Sequence, residues 1–371
     1  MNRRCYCSVM RRLICLFAAF LMLCPSLFPS YAAQTVYFTA GNNRLLDLNS
    51  ASMPFVSDDV YYLPHTIFQN TGLGIYFSRS VANQTASLYT SGITLTFDLE
   101  HGLCYDSQGT EYPYRAVVKG DYVFFPLTLL TVYFGLSYSI IPTDYAPIIR
   151  IKGGTYLSDR IFLDAAGSML STRYTQYQKS LTEQNTDTPA QPGTSEDIPG
   201  KYALCPVIRV SDSDSLSASL DLLDAYGWTG LFLFRPSQLD SYHDLLRRIC
   251  AGGHSVGFTG QYLEASHLDS ANEKLSLITG CKSRVVYLPT VDNQHLSQLS
   301  LSGYCPLQPT DLSQSDLNTA SAVNSLLRSY RSSQIQPLFF GDSQAFSRCG
   351  DYLLRRLKAN QYYCTGWREI L

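Results

Sequence analysis

The sequence contains little charge of either sign. Only 16% of its 371 residues are charged, and 28 basic residues nearly balance 30 acidic ones, for a formal net charge of −2. Proteins that bind nucleic acid usually carry a basic excess or a basic patch. The near balance therefore gives no electrostatic case for nucleic acid as a partner.

Cysteine pairs with zinc-ligand spacing are also absent. No CxxC motif occurs, which argues against a zinc knuckle. Four of the 11 cysteines fall near the amino terminus, and the other seven lie far apart, at Cys104, Cys205, Cys250, Cys281, Cys305, Cys349 and Cys364. This spacing favours scattered buried thiols, and an oxidising compartment would allow one or two disulfides among them.

A single long apolar run occurs, at the amino terminus. It covers residues 13–23, follows four arginines, and is itself followed by small residues at Ser30 and Ala32. The run is too short to span a bilayer comfortably, so we predict a secretory signal peptide over residues 1–33 rather than a retained membrane anchor. No second hydrophobic span follows. We therefore expect a bacterial protein that is secreted or associated with the cell envelope.

Composition divides the rest of the chain into three regions. Residues 34–155 are rich in β-branched and aromatic residues separated by turn signals, which predicts mostly strands with short helices. Residues 156–201 combine helical patterning up to residue 180 with a stretch, 181–201, that contains almost no apolar residues and is predicted to be a flexible linker. Residues 202–371 alternate short apolar runs with helical stretches, which is typical of an α/β domain.

The first region contains an internal repeat. The segments "YYLPHTIFQNTGLGIYFS" (61–78) and "VFFPLTLLTVYFGLSYSI" (123–140) share an aromatic pair, a proline (Pro64 and Pro126) and a short amphipathic stretch that ends at glycine. Each copy predicts a strand, a proline in the first helical turn, a two-turn helix and a second strand. Two such copies can share one hydrophobic core.

This repeat resembles the copper amine oxidase N-terminal-like domain, a stalk module of exported Gram-positive proteins in which a strand runs into "LVPLRFVAEALG". The resemblance covers most of residues 34–155 and implies a small α+β domain that serves for attachment or spacing. A copper site is not expected, because the only histidines of this region, His65 and His101, do not have metal-ligand spacing.

Seven short apolar runs predict strands in the last region: 206–210, 230–234, 254–259, 284–288, 303–307, 337–341 and 362–366. Helical patterns lie between them. Leu216, Leu220 and Leu223 share one helical face, and a second helix is predicted to end at Gly252 and Gly253. Strands that alternate with helices indicate an α/β barrel or a parallel sheet, in which functional side chains gather at the carboxyl ends of the strands.

Several blocks of this region resemble the NodB-homology polysaccharide deacetylases, carbohydrate esterases that remove acetyl groups from chitin, peptidoglycan or xylan. "SLDLLDAYGWTGLFLF" is similar to the family's "ILDLLKKYGVKATFFV", "YHDLLRRICAGGHSVGFTG" to "YPELVRRIAAEGHEIGNHT", and "LLRRLKANQYYCTGWREIL" to "IIDELKARGYRFVTLDEL". The blocks follow the family order over nearly all of residues 203–371. The resemblance implies a distorted (β/α) barrel of about seven strands.

The resemblance also implies where an active member would hold its divalent metal, such as zinc. The family's "TFDDGP" supplies a general base and a metal ligand, whereas "RVSDSDS" offers only the non-adjacent Asp212 and Asp214. The two histidines of the family's "HxxxH" are replaced by Thr259 and Leu263, and leucine cannot ligate a metal. We therefore expect no metal and no other cofactor.

Two further family motifs are altered. The arginine of "RxPY", which orients the base, is replaced by Leu288, and the general-acid histidine of "LHD" is replaced by Gly341, so that only Asp342 is retained. The remaining histidines of the region show no i, i+4 pairing; they are His243, His254, His267 and His295. His254 matches a family histidine that is not a ligand, and we expect it to be a packed strand residue.

Each candidate aspartate has two interpretations. Asp212, Asp214 and Asp342 are either vestiges of the family's acidic site or residues of polar turns that cap the helices after them. Capping is the favoured interpretation, so no catalytic residue is assigned.

Three functions follow from these observations. The first is an exported, catalytically inactive deacetylase-like protein that serves as a cell-envelope scaffold or glycan-binding module, with cell-wall glycan or peptidoglycan as its partner. The second is an active metal-dependent deacetylase with rearranged ligands, drawn from Asp212, Asp214, His267, Asp292 and Asp342. The third is a purely structural envelope protein.

Overall fold

The computed structural model describes residues 35–69, 71–186, 202–307, 317, 319–329 and 335–367. The predicted signal peptide over residues 1–33 lies outside them. From Val36 onward the chain forms one compact unit, in which we distinguish a β-rich lobe (residues 36–152) and an α/β lobe (residues 202–367). No helix in the described part of the chain is long and apolar enough to cross a membrane.

The β-rich lobe contains three small sheets. Its described strands are β1 (Phe38–Gly41), β2 (Arg44–Leu45), β3 (Phe55–Ser57), β4 (Val60–Pro64), β5 (Tyr76–Ser80), β6 (Thr85–Tyr89), β7 (Thr94–Asp98), β8 (Leu103–Asp106), β9 (Glu111–Tyr112), β10 (Val117–Lys119), β11 (Tyr122–Pro126), β12 (Ser137–Ile141) and β13 (Ile148–Lys152). The strand orders are β12-β13-β1-β2, β10-β11-β4-β3 and β5-β6-β7-β8-β9. Most pairs are antiparallel hairpins, as the many turn signals predict, and β1 with β13 is a parallel pair.

The two copies of the repeat pack against each other at the centre of this lobe. Strands β4 and β11 pair in antiparallel fashion, which places Leu63 opposite Phe125. Both side chains are completely buried, and apolar residues of the two copies belong to one core. The predicted sharing of a core is therefore confirmed.

The helices of the two copies differ. Helix α1 (Leu127–Phe134) follows the second-copy proline and ends at Gly135, which adopts the left-handed conformation with φ 64°. In the first copy only a single 3-10 turn (His65–Phe68) follows the proline. The prediction of a two-turn helix is thus wrong for the first copy, where Gly72 and Gly74 both adopt positive φ and turn the chain early toward β5. Both prolines precede the helical residues instead of lying in the first turn.

A long helix, α2 (Asp159–Thr186), lies between the lobes in the sequence and packs on both. Its apolar side, which includes Phe162, Ala166 and Met169, shares a core with β1 and with Ala251 of the α/β lobe. The helix extends through residues 181–186, so the predicted linker is wrong over that stretch; adding residues to an existing helix costs far less than starting one. The rest of the predicted linker lies outside the described residues.

The α/β lobe is built on a parallel sheet. Its strands are β14 (Tyr202–Arg209), β15 (Leu231–Phe234), β16 (Ser255–Thr259), β17 (Val285–Tyr287), β18 (Cys305–Pro306), β19 (Gln336–Phe340) and β20 (Tyr362–Cys364). The order is β18-β17-β16-β15-β14-β19, and β20 also pairs with β14. The strand pairings of this sheet are parallel. The end strands β18 and β19 do not pair with each other in the described residues, so closure into a barrel stays a prediction.

Helices cover this sheet. They are α3 (Ser213–Tyr226), α4 (His243–Gly252), α5 (Ala265–Thr279), α6 (Asn293–Leu301), α7 (Ala320–Ser329) and α8 (Ser343–Ala359). The predicted face of α3 is confirmed, because Leu216, Leu220 and Leu223 are completely buried in the main core of the lobe. The predicted end of α4 is confirmed as well, since its C-cap is Gly253, in the left-handed conformation with φ 80°.

A buried arginine organises the part of the β-rich lobe that faces the α/β lobe. The Arg150 side chain is completely buried. Its guanidinium donates hydrogen bonds to the Asn42 carbonyl (2.7 Å), Asp159 Oδ1 (2.7 Å), Asn43 Oδ1 (3.1 Å) and the Leu157 carbonyl (2.8 Å). These acceptors compensate for the loss of hydration that burial of a cation requires.

Asn43 carries this network across to the α/β lobe. Its Nδ2 donates to the Thr279 carbonyl at the end of α5 (2.8 Å), and its Oδ1 also accepts from the Leu157 amide (2.8 Å). Next to Thr279, Gly280 adopts φ 73°, and a Cβ atom there would lie 2.5 Å from Asn43 Nδ2. Glycine thus permits the close approach of the two lobes.

Candidate functional site

The sequence-predicted residues lie at the carboxyl edge of the parallel sheet. Asp212 and Asp214 follow β14, Thr259 ends β16, Leu288 follows β17 and Asp342 follows β19. Parallel strands end at one edge of their sheet, so these positions occupy the edge at which α/β folds usually place chemistry.

Asp212 caps helix α3. Its Oδ1 accepts a hydrogen bond from the Ser215 amide (2.8 Å), and its Oδ2 accepts from Ser215 Oγ (2.8 Å), Ser211 Oγ (3.0 Å) and Gln344 Nε2 (3.1 Å). These hydrogen bonds, that of the Ser215 amide first, hold the pKa of Asp212 well below its usual range. Both oxygens are therefore occupied, and so acidic a group is a poor general base near neutral pH.

A cluster of serine hydroxyls lies next to Asp212. Ser343 Oγ is 2.6 Å from Ser215 Oγ and 2.8 Å from Ser211 Oγ, and it accepts a hydrogen bond from the Ser211 amide (3.2 Å). Ser343 is completely buried. A serine nucleophile needs a base to remove its proton, and the hydrogen-bond partners of these hydroxyls in the described residues are serines, Asp212 and backbone groups. The cluster thus ties the start of α3 to the start of α8.

The other aspartates also belong to helix starts. Asp342 Oδ1 accepts from the Ala345 amide (2.7 Å) as the N-cap of α8, and Asp292 Oδ1 accepts from the His295 amide (2.8 Å) as the N-cap of α6. Asp214 is exposed in the first turn of α3. The capping interpretation therefore agrees with the geometry of Asp212 and Asp342, whereas Asp214 lies beside a cap without forming it.

The residues at the positions of the two family histidines, Thr259 and Leu263, are packed side chains rather than metal ligands. Thr259 is only 3% exposed, and the Leu263 side chain packs against the main core. The Leu263 carbonyl accepts a hydrogen bond from His295 Nε2 (2.9 Å), and the His295 ring lies against Tyr262, with centroids 4.4 Å apart. Apolar contacts and one backbone hydrogen bond thus occupy this part of the edge.

The positions of the family's arginine and general-acid histidine are also occupied by residues with structural contacts. Leu288 is buried in the main core. The Gly341 carbonyl accepts a hydrogen bond from Arg209 Nε (2.7 Å). This arginine comes from the end of β14, and it holds backbone at the end of β19 instead of orienting a carboxylate.

The histidines are dispersed over separate elements. His254 is buried before β16, where its Nδ1 accepts from the Gly230 amide (3.2 Å) and its Nε2 lies 3.5 Å from Asp224. Burial lowers the pKa of His254, although Asp224 opposes the shift. His267 Nδ1 accepts from the Glu264 amide (3.3 Å) at the start of α5, and His243 is exposed. His254 is thus a packed residue, as expected, although it lies just before the strand.

A zinc ion does not fit these residues. In the part of the chain that the structure describes, no group of three or more histidine, cysteine, aspartate or glutamate side chains could hold a metal ion. At the family's ligand positions, Leu263 has no donor atom and both Asp212 oxygens already accept hydrogen bonds. Zinc prefers thiolate, imidazole and carboxylate ligands in tetrahedral arrangement, so we derive no catalytic step through a metal.

Sequence reasoning missed a second feature, a cleft at the opposite edge of the sheet. The cleft has a volume of about 660 Å³ and is lined by residues of both lobes, among them Asn43, Gly253, Cys250, Cys281 and Trp367. Its walls come from positions far apart in the sequence. The only local signal was the pair of glycines that end α4 and α5.

No protein-family model matches the chain, and no curated protein matches it. Among solved structures, it is similar to the peptidoglycan deacetylase PdaC from Bacillus subtilis, at 15% identity over 45% of this chain and 89% of that one, with a TM-score of 0.38. It is similar to the polysaccharide deacetylase Bc1974 from Bacillus cereus, at 13% identity over 45% and 93%, with a TM-score of 0.39. It is also similar to the Bdellovibrio bacteriovorus peptidoglycan deacetylase Bd3279, at 12% identity over 57% and 73%, with a TM-score of 0.37. A likeness at this level does not establish an activity for this chain.

Proposed function

We propose that this is an exported, catalytically inactive deacetylase-like protein that serves as a scaffold or glycan-binding module of the bacterial cell envelope. Export is supported by the basic, apolar and small-residue pattern of residues 1–33. The main support for the proposal comes from the residues at the carboxyl edge of the sheet. Asp212 and Asp342 cap helices there, while Leu263 and Leu288 pack into the core.

Deacetylation of the family type needs three things at this edge. A metal polarises the acetyl carbonyl and activates water, and a base and an acid transfer protons on either side of the reacting carbon. In this chain the candidate base, Asp212, is held charged by four hydrogen bonds. Loss of one general acid or base typically costs a factor of about 10² to 10⁴ in rate. Simultaneous loss of the ligands, acid and base favours a non-catalytic role.

The catalytic part of this proposal is tested by activity and metal content together. The full mature chain is incubated with acetylated chito-oligosaccharides and with peptidoglycan, with and without added Zn²⁺, and released acetate is measured. The protein is also analysed for bound metal after purification without chelators. We expect no release above the blank and substoichiometric metal. Stoichiometric zinc together with acetate release would overturn the proposal in favour of rearranged ligands.

Exposed tyrosines support a glycan-binding role for the β-rich lobe. Tyr76 and Tyr89 lie directly opposite each other on β5 and β6, with ring centroids 5.7 Å apart and planes inclined by 29°. They are 59% and 37% exposed. Exposed aromatic rings with a polar hydroxyl offer an apolar face with a hydrogen-bonding edge, which suits the mixed character of a sugar ring.

A sedimentation assay separates the glycan-binding role from a purely structural one. We expect the mature chain to sediment with insoluble peptidoglycan or chitin, and a Tyr76→Ala, Tyr89→Ala double variant to remain in solution. Tyr138→Ala is the matched control, because Tyr138 is 43% exposed but lies on β12 in another sheet. Failure of the wild-type chain to sediment would favour the purely structural role.

A further inference from the structure

Two of the cysteines lie together at the cleft between the lobes. Cys250 is in the last turn of α4, and Cys281 follows the glycine that ends α5. Both line the same cleft. Cys281 is exposed and Cys250 is half-buried, so Cys281 is the more accessible of the two.

The ends of the two helices are held side by side by a contact one turn earlier. Arg247 Nε donates a hydrogen bond to the Ile278 carbonyl (3.1 Å). Cys250 follows Arg247 by three positions, which in a helix is the spacing of neighbours on one face, and Cys281 follows Ile278 by three positions, just beyond the Gly280 C-cap. Thr279 Oγ1 accepts from the Cys281 amide (3.1 Å) and fixes the backbone at the second cysteine.

The two thiols are chemically unequal. Interaction between the two side chains, together with burial, raises the pKa of Cys250. The same interaction lowers the pKa of Cys281, against an opposing effect of burial. The thiolate is the reactive form of cysteine, and Cys281 is also the more exposed of the two, so Cys281 is suited to attack and Cys250 to act second.

Other cysteines in the described residues do not share this arrangement. Cys205 and Cys364 lie on the neighbouring strands β14 and β20, but they belong to cores on opposite sides of the sheet. Cys104 and Cys349 are buried in separate cores. A disulfide requires Cβ atoms that approach each other, and Cys250 and Cys281 line one cleft instead of lying in separate cores.

We propose that Cys250 and Cys281 form a thiol–disulfide exchange site. Its oxidised form is an intramolecular disulfide that links the ends of α4 and α5. The Cys281 thiolate attacks an external disulfide, forms a mixed disulfide and displaces one partner thiolate. Cys250 then loses its proton and attacks the Cys281 sulfur, which displaces the second partner thiolate. The protein loses two electrons and two protons, and the external disulfide is reduced to two thiols.

The Cys250–Cys281 disulfide would stabilise the surface of the α/β lobe that contacts the β-rich lobe. The residues that precede and follow the two cysteines contact that lobe directly: a Cβ atom at Gly253 would lie 2.7 Å from Arg44 Nε, and Thr279 accepts the Asn43 hydrogen bond. A disulfide restricts the unfolded chain and so stabilises the folded one. This inference does not depend on the absence of catalysis, although export would supply the oxidising surroundings in which such bonds persist.

The experiment treats the purified mature chain with glutathione disulfide. Free thiols are then alkylated, and tryptic peptides are analysed by mass spectrometry without reduction. Cleavage after Arg248, Lys274 and Lys282 would release the two cysteines on separate peptides, so a closed bond appears as one linked pair that reductant separates. We expect this pair in the wild-type chain, together with a higher melting temperature that is lost on reduction.

Single variants assign the order of the two steps. In Cys250→Ser, Cys281 should accumulate as the mixed disulfide with glutathione, whereas in Cys281→Ser, Cys250 should remain unmodified. Cys305→Ser is the matched control, because Cys305 is also half-buried, and it should retain the linked pair. The proposal would be overturned if both cysteines of the wild-type chain were recovered alkylated, or if either were linked to a different cysteine.

Discussion

The carboxyl and amino edges of the α/β sheet use polar side chains in different ways. At the carboxyl edge, Asp212 and Asp342 satisfy amides of the helices that immediately follow them. At the amino edge, Asn43 and Arg150 connect residues that are more than 100 positions apart. Local capping stabilises single helices, whereas the long-range network joins two lobes.

This difference separates local from long-range stabilisation in the protein. At the carboxyl edge, helix caps and buried strand residues support the α/β framework. The amino edge, which contributes no chemistry in such folds, carries the buried charge network, the cleft and the paired thiols of this protein.

Arg150→Met should be the most damaging substitution at the amino edge. It removes hydrogen bonds to the Asp159 carboxylate, Asn43 Oδ1 and the carbonyls of Asn42 and Leu157, and each buried acceptor left unsatisfied typically costs about 1–3 kcal/mol. Urea unfolding at equilibrium measures the loss. The control is Arg160→Met, because Arg160 is exposed on α2. Equal midpoints for the two variants would show that the network does not join the lobes.

Gly280→Ala tests the close approach of the lobes separately from backbone strain. Alanine in the left-handed region costs about 1–2 kcal/mol at any position. At Gly280 the new Cβ would also lie 2.5 Å from Asn43 Nδ2, whose side chain is fixed by several hydrogen bonds. We expect about 1–3 kcal/mol of additional destabilisation from overpacking.

The matched control for this prediction is Gly109→Ala. Gly109 has a similar φ of 82°, but nothing lies within 4 Å of its ideal Cβ position. Subtraction of its unfolding free energy change from that of Gly280→Ala isolates the steric part. A difference near zero would mean that Asn43 can move away and that the contact between the lobes at Gly280 is looser than the structure indicates.

The contrast between the edges also explains which features could be predicted from the sequence. Helix faces such as Leu216, Leu220 and Leu223, and the glycine end of α4, follow from local periodicity and turn chemistry. The capping role of Asp342 is local too, because the cap and its amide are three residues apart. These features do not depend on how distant parts of the chain meet.

The amino edge depends on contacts that no local pattern contains. The Asn43 hydrogen bond to the Thr279 carbonyl spans 236 positions. At the carboxyl edge, the serine cluster is also long-range, because Ser343 is 128 positions from Ser215. Arg150 lies between isoleucines on β13, and its burial could not be inferred from residue type. The docking of the lobes and the cleft between them therefore became visible only in the structure.

Asp342→Ala should have a smaller effect than either substitution at the amino edge. It removes the acceptor for the Ala345 amide, and loss of an N-cap typically costs about 0.5–2 kcal/mol. Asp214→Ala is the control, since Asp214 is an exposed first-turn residue and surface substitutions usually stay within about 0.5 kcal/mol. Thermal unfolding distinguishes the two. A loss for Asp214→Ala as large as that for Asp342→Ala would contradict the assignment of the cap.

The smallest effect should come from the pH dependence at His254. Burial lowers its pKa from the ordinary value of 6.5, so the folded protein binds fewer protons there than the unfolded chain does just below pH 6.5. The neutral ring is favoured, its Nδ1 accepting from the Gly230 amide. His254 thus contributes stability that is fully present above pH 6.5 and is lost as pH falls toward the folded pKa.

The variant His254→Gln isolates this contribution, because glutamine can accept the same hydrogen bond but does not titrate. The pKa of His65 is also lowered by burial, yet His65 is present in both proteins and cancels in the comparison. We expect the difference in unfolding free energy between wild type and variant to shrink as pH falls below 6.5. A difference that grew on acidification would mean that Asp224 outweighs burial and that His254 is charged in the folded protein. His254 and Asp224 would then form a buried ion pair instead of a packed neutral contact.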